Sequence, residues 1–404
     1  MRRFLTLFAI LAAGALAPFG AANAQTAQPP LFRNSPGQPQ VFRTPGAAQN
    51  APTASVNTER EEFVNRLNAN TVTIVSGNPN GTYLSIAYDI SAVLDDGNDL
   101  RVLPVIGKGG AQNLRDILYL KGVDMGITQS NILRYFNETG EVGRNIGNRM
   151  RYIARLYNEE MHVLVKPEIN ALQDLKGKKV NFSDIGSGTQ TTSKLIFQDL
   201  KIPVQEVNMG QADAFEALKK GEIDATILIA GKPTGAFAKL APNPAYKLLP
   251  VPYTPELYEH YLPTTLNNED YPGMISKEAP INTIAVSAVL AVFNWAPNTD
   301  RHRRVAKFTE AFFKNFDKFI EKPRHPKWKE VNLAADLPGW TRFSTAQEIL
   351  SREKGTVGNS VEVKQAFEQF IAKISPQDAQ GTSQLSRDEL FAKFLQWHSA
   401  QKTR

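Results

Sequence analysis

The sequence predicts an α/β protein, and three observations predict it. Strand-like apolar runs alternate with helical patterns through most of the chain, the grammar of parallel α/β sheets. Two of the strand-to-helix junctions are loops rich in glycine and hydroxyl side chains. With 42% hydrophobic and 21% charged residues over 404 positions, the composition suits two or three packed domains and excludes a disordered or membrane-embedded bulk.

Met1-Arg2-Arg3 precedes an apolar run from Phe4 to Leu16, and Ala22-Asn23-Ala24 has the small residues of a signal-peptidase site. Residues 1–24 therefore read as a signal peptide, too short for the about 20 apolar residues of a membrane span, and the mature protein is expected in the periplasm. Residues 25–57 carry Pro29, Pro30, Pro36, Pro39, Pro45 and Pro52 among Gln, Ala, Ser and Asn, the composition of a disordered linker. Order is expected from Thr58, which forms a capping box with Glu61 ahead of Phe63 and Leu67.

Strands are predicted at 71–75, 100–105, 125–128, 162–165, 180–182, 204–207, 225–229 and 283–292, separated by helical patterns such as 113–121 with Leu114, Ile117 and Leu118 on one side. A longer helix, 303–321, repeats Val305, Phe308, Phe312, Phe316 and Phe319 every three or four residues, an aromatic stripe that belongs in a core and not on a ligand. Helical patterns at 361–374 and 387–399 make residues 351–404 a helical C-terminal extension. The most apolar later segment, 281–296, is interrupted by Asn282, Ser287 and Asn294, so any transport would use a separate membrane chain.

The formal charge of +6 falls to +4 once Arg2 and Arg3 leave with the signal peptide, and the densest basic stretch, 301–329, is interleaved with acids. That is a solvated helix face; no nucleic-acid partner is expected. The chain has no cysteine, hence no disulfide, thiolate metal site or cysteine nucleophile. His162, His260, His302, His325 and His398 lie far apart without ligand spacing, and Ser187 lacks the flanking glycines of a nucleophile elbow, where Ile185 and Thr189 stand instead. Neither an enzyme nor a metal or other cofactor is expected.

The first glycine loop runs from Val75 to Tyr83 through Asn80, Gly81 and Thr82; the second runs from Phe182 to Thr191 through Gly186, Ser187, Gly188, Thr189 and Gln190. Each places backbone N–H groups, hydroxyls and the positive end of a helix where a small carboxylate could sit. Either loop alone reads slightly better as an ordinary turn with a Ser/Thr helix cap. Neither is a nucleotide fingerprint, because Thr191 replaces the third glycine and no phosphate-loop pattern occurs.

These segments, with Gly109-Gly110-Ala111-Gln112-Asn113-Leu114, Gly122-Val123-Asp124-Met125-Gly126-Ile127-Thr128-Gln129-Ser130, Leu156-Tyr157, Gly221-Glu222-Ile223-Asp224-Ala225 and Gly231-Lys232-Pro233, resemble the TAXI-type solute receptors of tripartite ATP-independent periplasmic (TRAP) transporters from about residue 70 to residue 350. The resemblance implies a two-lobed periplasmic-binding-protein fold, type II-like, with a ligand cleft between lobes joined by crossing strands. Residues 58–157 and 282–350 would form lobe 1 and residues 158–281 lobe 2, with hinges near 157–163 and 275–286. The sequence departs from the family pattern at Asn80, Leu84, Asn131 and Asn158. A neutral Asn131 removes a carboxylate expected to face the cleft, and with it a partner for a ligand amino group.

The function expected is capture of a carboxylate-bearing solute for a TRAP transporter. The resemblance suggests an organic acid or an acidic amino acid such as glutamate, and a separate TRAP membrane subunit, its small and large parts fused, as partner. The candidate ligand residues are Asn80, Gly81, Thr82 and Tyr83, then Gln129 and Ser130, then Gly186, Ser187, Gly188, Thr189 and Gln190. The protein is expected to be a monomer. The alternative is an exported solute sensor or adaptor with the same fold that signals to a membrane partner.

Overall fold

A computed structural model describes residues 53–79 and 81–359. The signal peptide and nearly all of the linker, Asn80, and the predicted C-terminal helices 361–374 and 387–399 lie outside the described residues. The chain divides into residues 1–54 and residues 55–404, and the fold below is that of the second unit.

Helix α1, Thr53–Ala69, starts ahead of Thr58, so residues 53–57, read from composition as linker, are helical and the Thr58–Glu61 pair lies inside the helix. The last proline of the run is Pro52, after which nothing opposes helix formation. There follow β1 (Thr71–Val75), α2 (Tyr83–Leu94), β2 (Arg101–Val105), α3 (Gly110–Tyr119), β3 (Met125–Gln129), α4 (Ile132–Thr139) and α5 (Ile146–Arg149). The long strand β4 (Met150–Val165) leads to β5 (Lys179–Asn181), α6 (Gly188–Asp199), β6 (Gln205–Val207), α7 (Gln211–Lys219), β7 (Ala225–Ala230), α8 (Gly235–Ala238), β8 (Lys247–Leu248) and β9 (Leu262–Leu266). A second long strand, β10 (Ile281–Phe293), precedes α9 (Asp300–Lys314), α10 (Asp317–Ile320) and α11 (Ser344–Asn359).

The strands join in the order β2-β1-β3-β10-β4-β7-β5-β6, with β9 beside β10 and β8 beside β4. Pairs β1–β2, β1–β3, β5–β6 and β5–β7 are parallel, as strand–helix–strand crossovers require. Strands β4 and β10 run antiparallel to one another through the middle, with Val286 opposite Glu159 and Phe293 opposite Met150. One half of each pairs outward with one side of the sheet: β10 meets β3 through residues 288–292, and β4 meets β7 through residues 160–165. Register slips between Ser287 and Val289, where the two sides meet.

Each side is covered by helices on both faces, giving a two-lobed α/β fold. On the β1 side, Ile86, Ile90, Phe308, Phe312 and Trp328 pack on Val72, Ile74 and Leu290, while Leu114, Ile117, Ile132 and Phe136 pack on Val289 and Ala291. On the β5 side, Ile196 and Phe197 pack on Val163, Val180 and Ile227, and Phe215, Leu218 and Phe237 pack on Leu164 and Leu228. Burial of aliphatic and aromatic side chains at about 1.5–3 kcal/mol each supplies the driving force in both lobes.

Three further differences from the sequence expectation bear on the architecture. Strand β4 begins at Met150, twelve residues ahead of the predicted 162, because Arg151, Arg155, Asn158, Glu159 and Glu160 interrupt its apolar run while its backbone pairs on both sides. The predicted helix 303–321 breaks at Asn315 into α9 and α10, though Phe308, Phe312 and Phe319 remain buried together. Strand β9 contains Pro263 and went unpredicted; it pairs only with β10, an edge position that tolerates a missing N–H.

Candidate functional site

The N-terminus of α6 and that of α3 point at each other across the gap between the lobes. Ser187 caps α6, its Oγ accepting from Gln190 N at 3.1 Å, and Gly188 opens the helix. Opposite it Gly110 opens α3 at φ +48°, and a Cβ on Gly110 would lie 2.5 Å from both the N and Cα of Gly188. Glycine is required at that contact by space as well as by backbone angle. Gln112 N donates to Gly186 O at 3.1 Å beside it.

A partly open cavity of about 60 Å³ lies next to this contact. Its first-lobe wall is made by Gly81, Thr82 and Tyr83 at the start of α2, by Gln129 at the end of β3, and by Lys108 in the loop before α3. The second-lobe wall is Ser183, Asp184, Ser187, Gly188 and Thr189, with Gln211 and residues 228–230 of β7 behind them. Glu159, on the crossing strand β4, lines the same cavity and is 2% exposed.

Of the residues predicted from sequence, Gly81, Thr82, Tyr83, Gln129, Ser187, Gly188 and Thr189 come together in this cavity. Three do not, and Asn80 lies outside the described residues. Ser130 lines a different hollow, of about 350 Å³, with Asn131 and Arg155, and its carbonyl accepts from Trp340 Nε1. Gly186 and Gln190 brace the loop: Gly186 N donates to Gln190 Oε1 at 2.6 Å, and Gln190 Nε2 donates to Glu206. Nor does Asn131 face the cavity; its amide donates to Thr192 Oγ1 at 3.0 Å and to Tyr261 OH. The carboxylate expected to be missing there is therefore not missing from the cavity, which has Glu159 and Asp184.

The hydroxyls are partly engaged. Thr189 Oγ1 accepts from Ile229 N at 3.0 Å, and Thr82 Oγ1 donates to Gly231 O, a bond across the lobes. Lys108 is exposed and has no hydrogen-bond or ion-pair partner among the described residues, so its ammonium is available to an anion. Glu159 Oε2 accepts from Tyr83 OH at 2.6 Å and from Gln129 Nε2 at 3.0 Å, and Gln129 Oε1 in turn accepts from Thr192 Oγ1 at 2.7 Å. Burial pushes the Glu159 carboxyl up to about 8, with the adjacent Glu160 adding to the rise against those hydrogen bonds and Lys327. Behind it Lys327 and Glu160, both almost wholly buried, pair at 2.6 Å, and Glu330 completes the group. His162 on the same strand is held low, to about 4, by burial and rests on Tyr271 OH; it does not line the cavity.

Sequence reasoning missed Lys108, Ser183, Asp184, Gln211 and Glu159. Lys108 had a readable signal, since Gly107-Lys108-Gly109-Gly110 is a third glycine loop between strand and helix. Glu159 had a weaker one, two adjacent acids just ahead of the apolar run that predicts the end of β4.

The family model for the NMT1-like family matches residues 74–339, which include every cavity residue named above. The chain belongs to the NMT1-like family. Among solved structures, this NMT1-like protein is similar to MatC from Rhodopseudomonas palustris with bound malate, at 16% identity and a TM-score of 0.43, over 61% of this chain and 85% of that one. It is also similar to an R. palustris protein with adipate, at 14% identity and a TM-score of 0.39, over 71% and 93%. An amino acid ABC transporter substrate-binding protein from Streptococcus pneumoniae bound to L-arginine is similar at 15% and 0.36, over 67% and 98%. On every measure these likenesses are remote.

Proposed function

We propose that this NMT1-like protein is an exported solute-binding protein that closes its two lobes on a small carboxylate-bearing solute, an organic acid or a glutamate-like amino acid, and delivers it to a TRAP-type membrane subunit. In this reading residues 58–157 and 282–350 form one lobe, residues 158–281 the other, and β4 and β10 the hinge. The resemblance of residues 122–130, 186–189 and 231–233 to TAXI-type receptors supports the transporter class. The observation that carries the solute class is the cavity wall, which the first turn of α6 shares with Lys108, whose ammonium has no partner among the described residues. A carboxylate there would gain backbone donors and a full charge.

Lys108→Met tests it. Lys108 makes no contact that the fold needs, whereas a charge-assisted bond is worth about 1.5–3 kcal/mol, or roughly tenfold to a hundredfold in affinity. Calorimetric titration with the bound solute, identified by native mass spectrometry, should show that weakening with an unchanged melting temperature. Wild-type affinity in Lys108→Met would remove the cation from the site and the carboxylate reading with it.

A further inference from the structure

At the floor of the cavity Glu159 presents an oxygen that the fold does not use. Oε2 accepts two hydrogen bonds, from Tyr83 and Gln129, while Oε1 accepts none from any described residue. Gln129 Nε2 is the donor in this arrangement, with its own Oε1 accepting from Thr192 Oγ1. A proton on Oε2 would compete with both donors, so the neutral acid places its proton on Oε1. The groups around this carboxyl are Tyr83 from α2, Gln129 from β3, Tyr157 and Glu160 from its own strand, Lys327 from the 326–330 turn, and Lys108 and Asp184 from the cavity loops. The nearest buried cation, Lys327, is taken up by Glu160 and Glu330 and does not bond Glu159.

We propose, building on the carboxylate reading above, that Glu159 holds its proton on Oε1 and donates it as a hydrogen bond to an anionic oxygen of the solute, so that the group seated deepest in the cleft is a carboxylate and not an ammonium. No proton is transferred; the acid remains neutral and the solute remains an anion. The raised carboxyl supports this, since a group titrating at about 8 is mainly protonated at neutral pH. The sign follows. The protonated form is the binding form, so affinity is level below about pH 8 and falls as pH rises through that value. An ammonium held by ionised Glu159 would give the opposite slope, with affinity rising over the same interval.

The test is calorimetry at pH 6 and pH 9 with succinate, L-malate, adipate and L-glutamate as probes, on wild type, Glu159→Leu and Glu159→Gln. Wild type should bind at least one probe and weaken about tenfold at pH 9, the drop expected one unit above the titration point. Glu159→Leu removes the donor and should lose tenfold or more at pH 6. Glu159→Gln can accept from Tyr83 and Gln129 through Oε1 and aim its NH₂ into the cavity, so it should rescue binding and abolish the pH slope. It also keeps the experiment decisive if the leucine variant misfolds. A glutamine variant as weak as the leucine one, or a wild-type affinity that rises toward pH 9, overturns the proposal while leaving the carboxylate reading intact. Failure of every probe to bind at either pH overturns both.

Discussion

Gly110 and Gly188 show how little room the closed cleft leaves. A Cβ on Gly110 would meet the Gly188 backbone at 2.5 Å, and one on Gly188 would meet the Gln129 amide at 2.8 Å. In an open cleft the Gly110 methyl would have space, apart from the positive φ, which costs a residue bearing a Cβ about 1–2 kcal/mol. Gly110→Ala should therefore lower the melting temperature by only about 2–4 °C per kcal/mol lost while weakening solute binding at least a hundredfold, because the lobes can no longer meet. Parallel calorimetry and thermal unfolding read both; near wild-type affinity would mean that closure does not bring these helices together. At this scale the sequence was informative where chemistry is local. Ser187, Gly188 and Thr189 announce themselves because a helix N-terminus has its own residue grammar. Glu159 does not, since its chemistry comes from burial on a strand between two lobes, a property of partners far away in the chain.

Among the elements, legibility followed the period of the apolar pattern. Strands β1, β3 and β7 carry only threonines, and Gln129 at the end of β3, among apolar residues and glycine, and their predicted limits lie within a residue of the observed ones. The first three-quarters of β4 was hidden because a strand that crosses between the lobes carries polar groups to the cavity. The aromatic stripe of α9 and α10 kept its burial but not its continuity: Phe312 lies 5.4 Å from Phe319 and 6.1 Å from Trp328 across the break at Asn315. Trp328 Nε1 is in turn held by Asp89 of α2 at 2.9 Å, so the stripe fastens the C-terminal segment to the first lobe. Phe312→Ala should cost about 3–5 kcal/mol, the range for emptying an aromatic site in a packed core. Urea unfolding would show it as a lower midpoint at an unchanged slope. A loss under about 1 kcal/mol would mean that the ring is not the keystone its burial implies.

For the molecule as a whole, α6 is the element that links the cavity to the contact between the lobes. Its first turn lines the cavity, and its last residue, Asp199, takes a bidentate grip from Arg134 of α4 in the other lobe, at 2.5 and 2.8 Å. Between them Thr192 bonds Gln129 and Asn131 across the same interface. The pairing across the lobes was not legible in the sequence, where Arg134 and Asp199 are two ordinary surface charges, because pairing across a cleft depends on lobe geometry and not on local pattern. The Arg134–Asp199 pair is partly exposed, with side chains 20% and 13% accessible, which holds its worth to about 1 kcal/mol. It acts only when the lobes are shut, so its loss moves the open–closed balance and not the cavity. Asp199→Ala should then weaken binding of the solute about fivefold through a faster release rate, with the pH slope assigned to Glu159 unchanged. Small-angle scattering of the ligand-free variant should show a larger radius of gyration than wild type. Unchanged affinity together with an unchanged radius would mean that the pair is present in both states and that closure is held by the cavity wall alone.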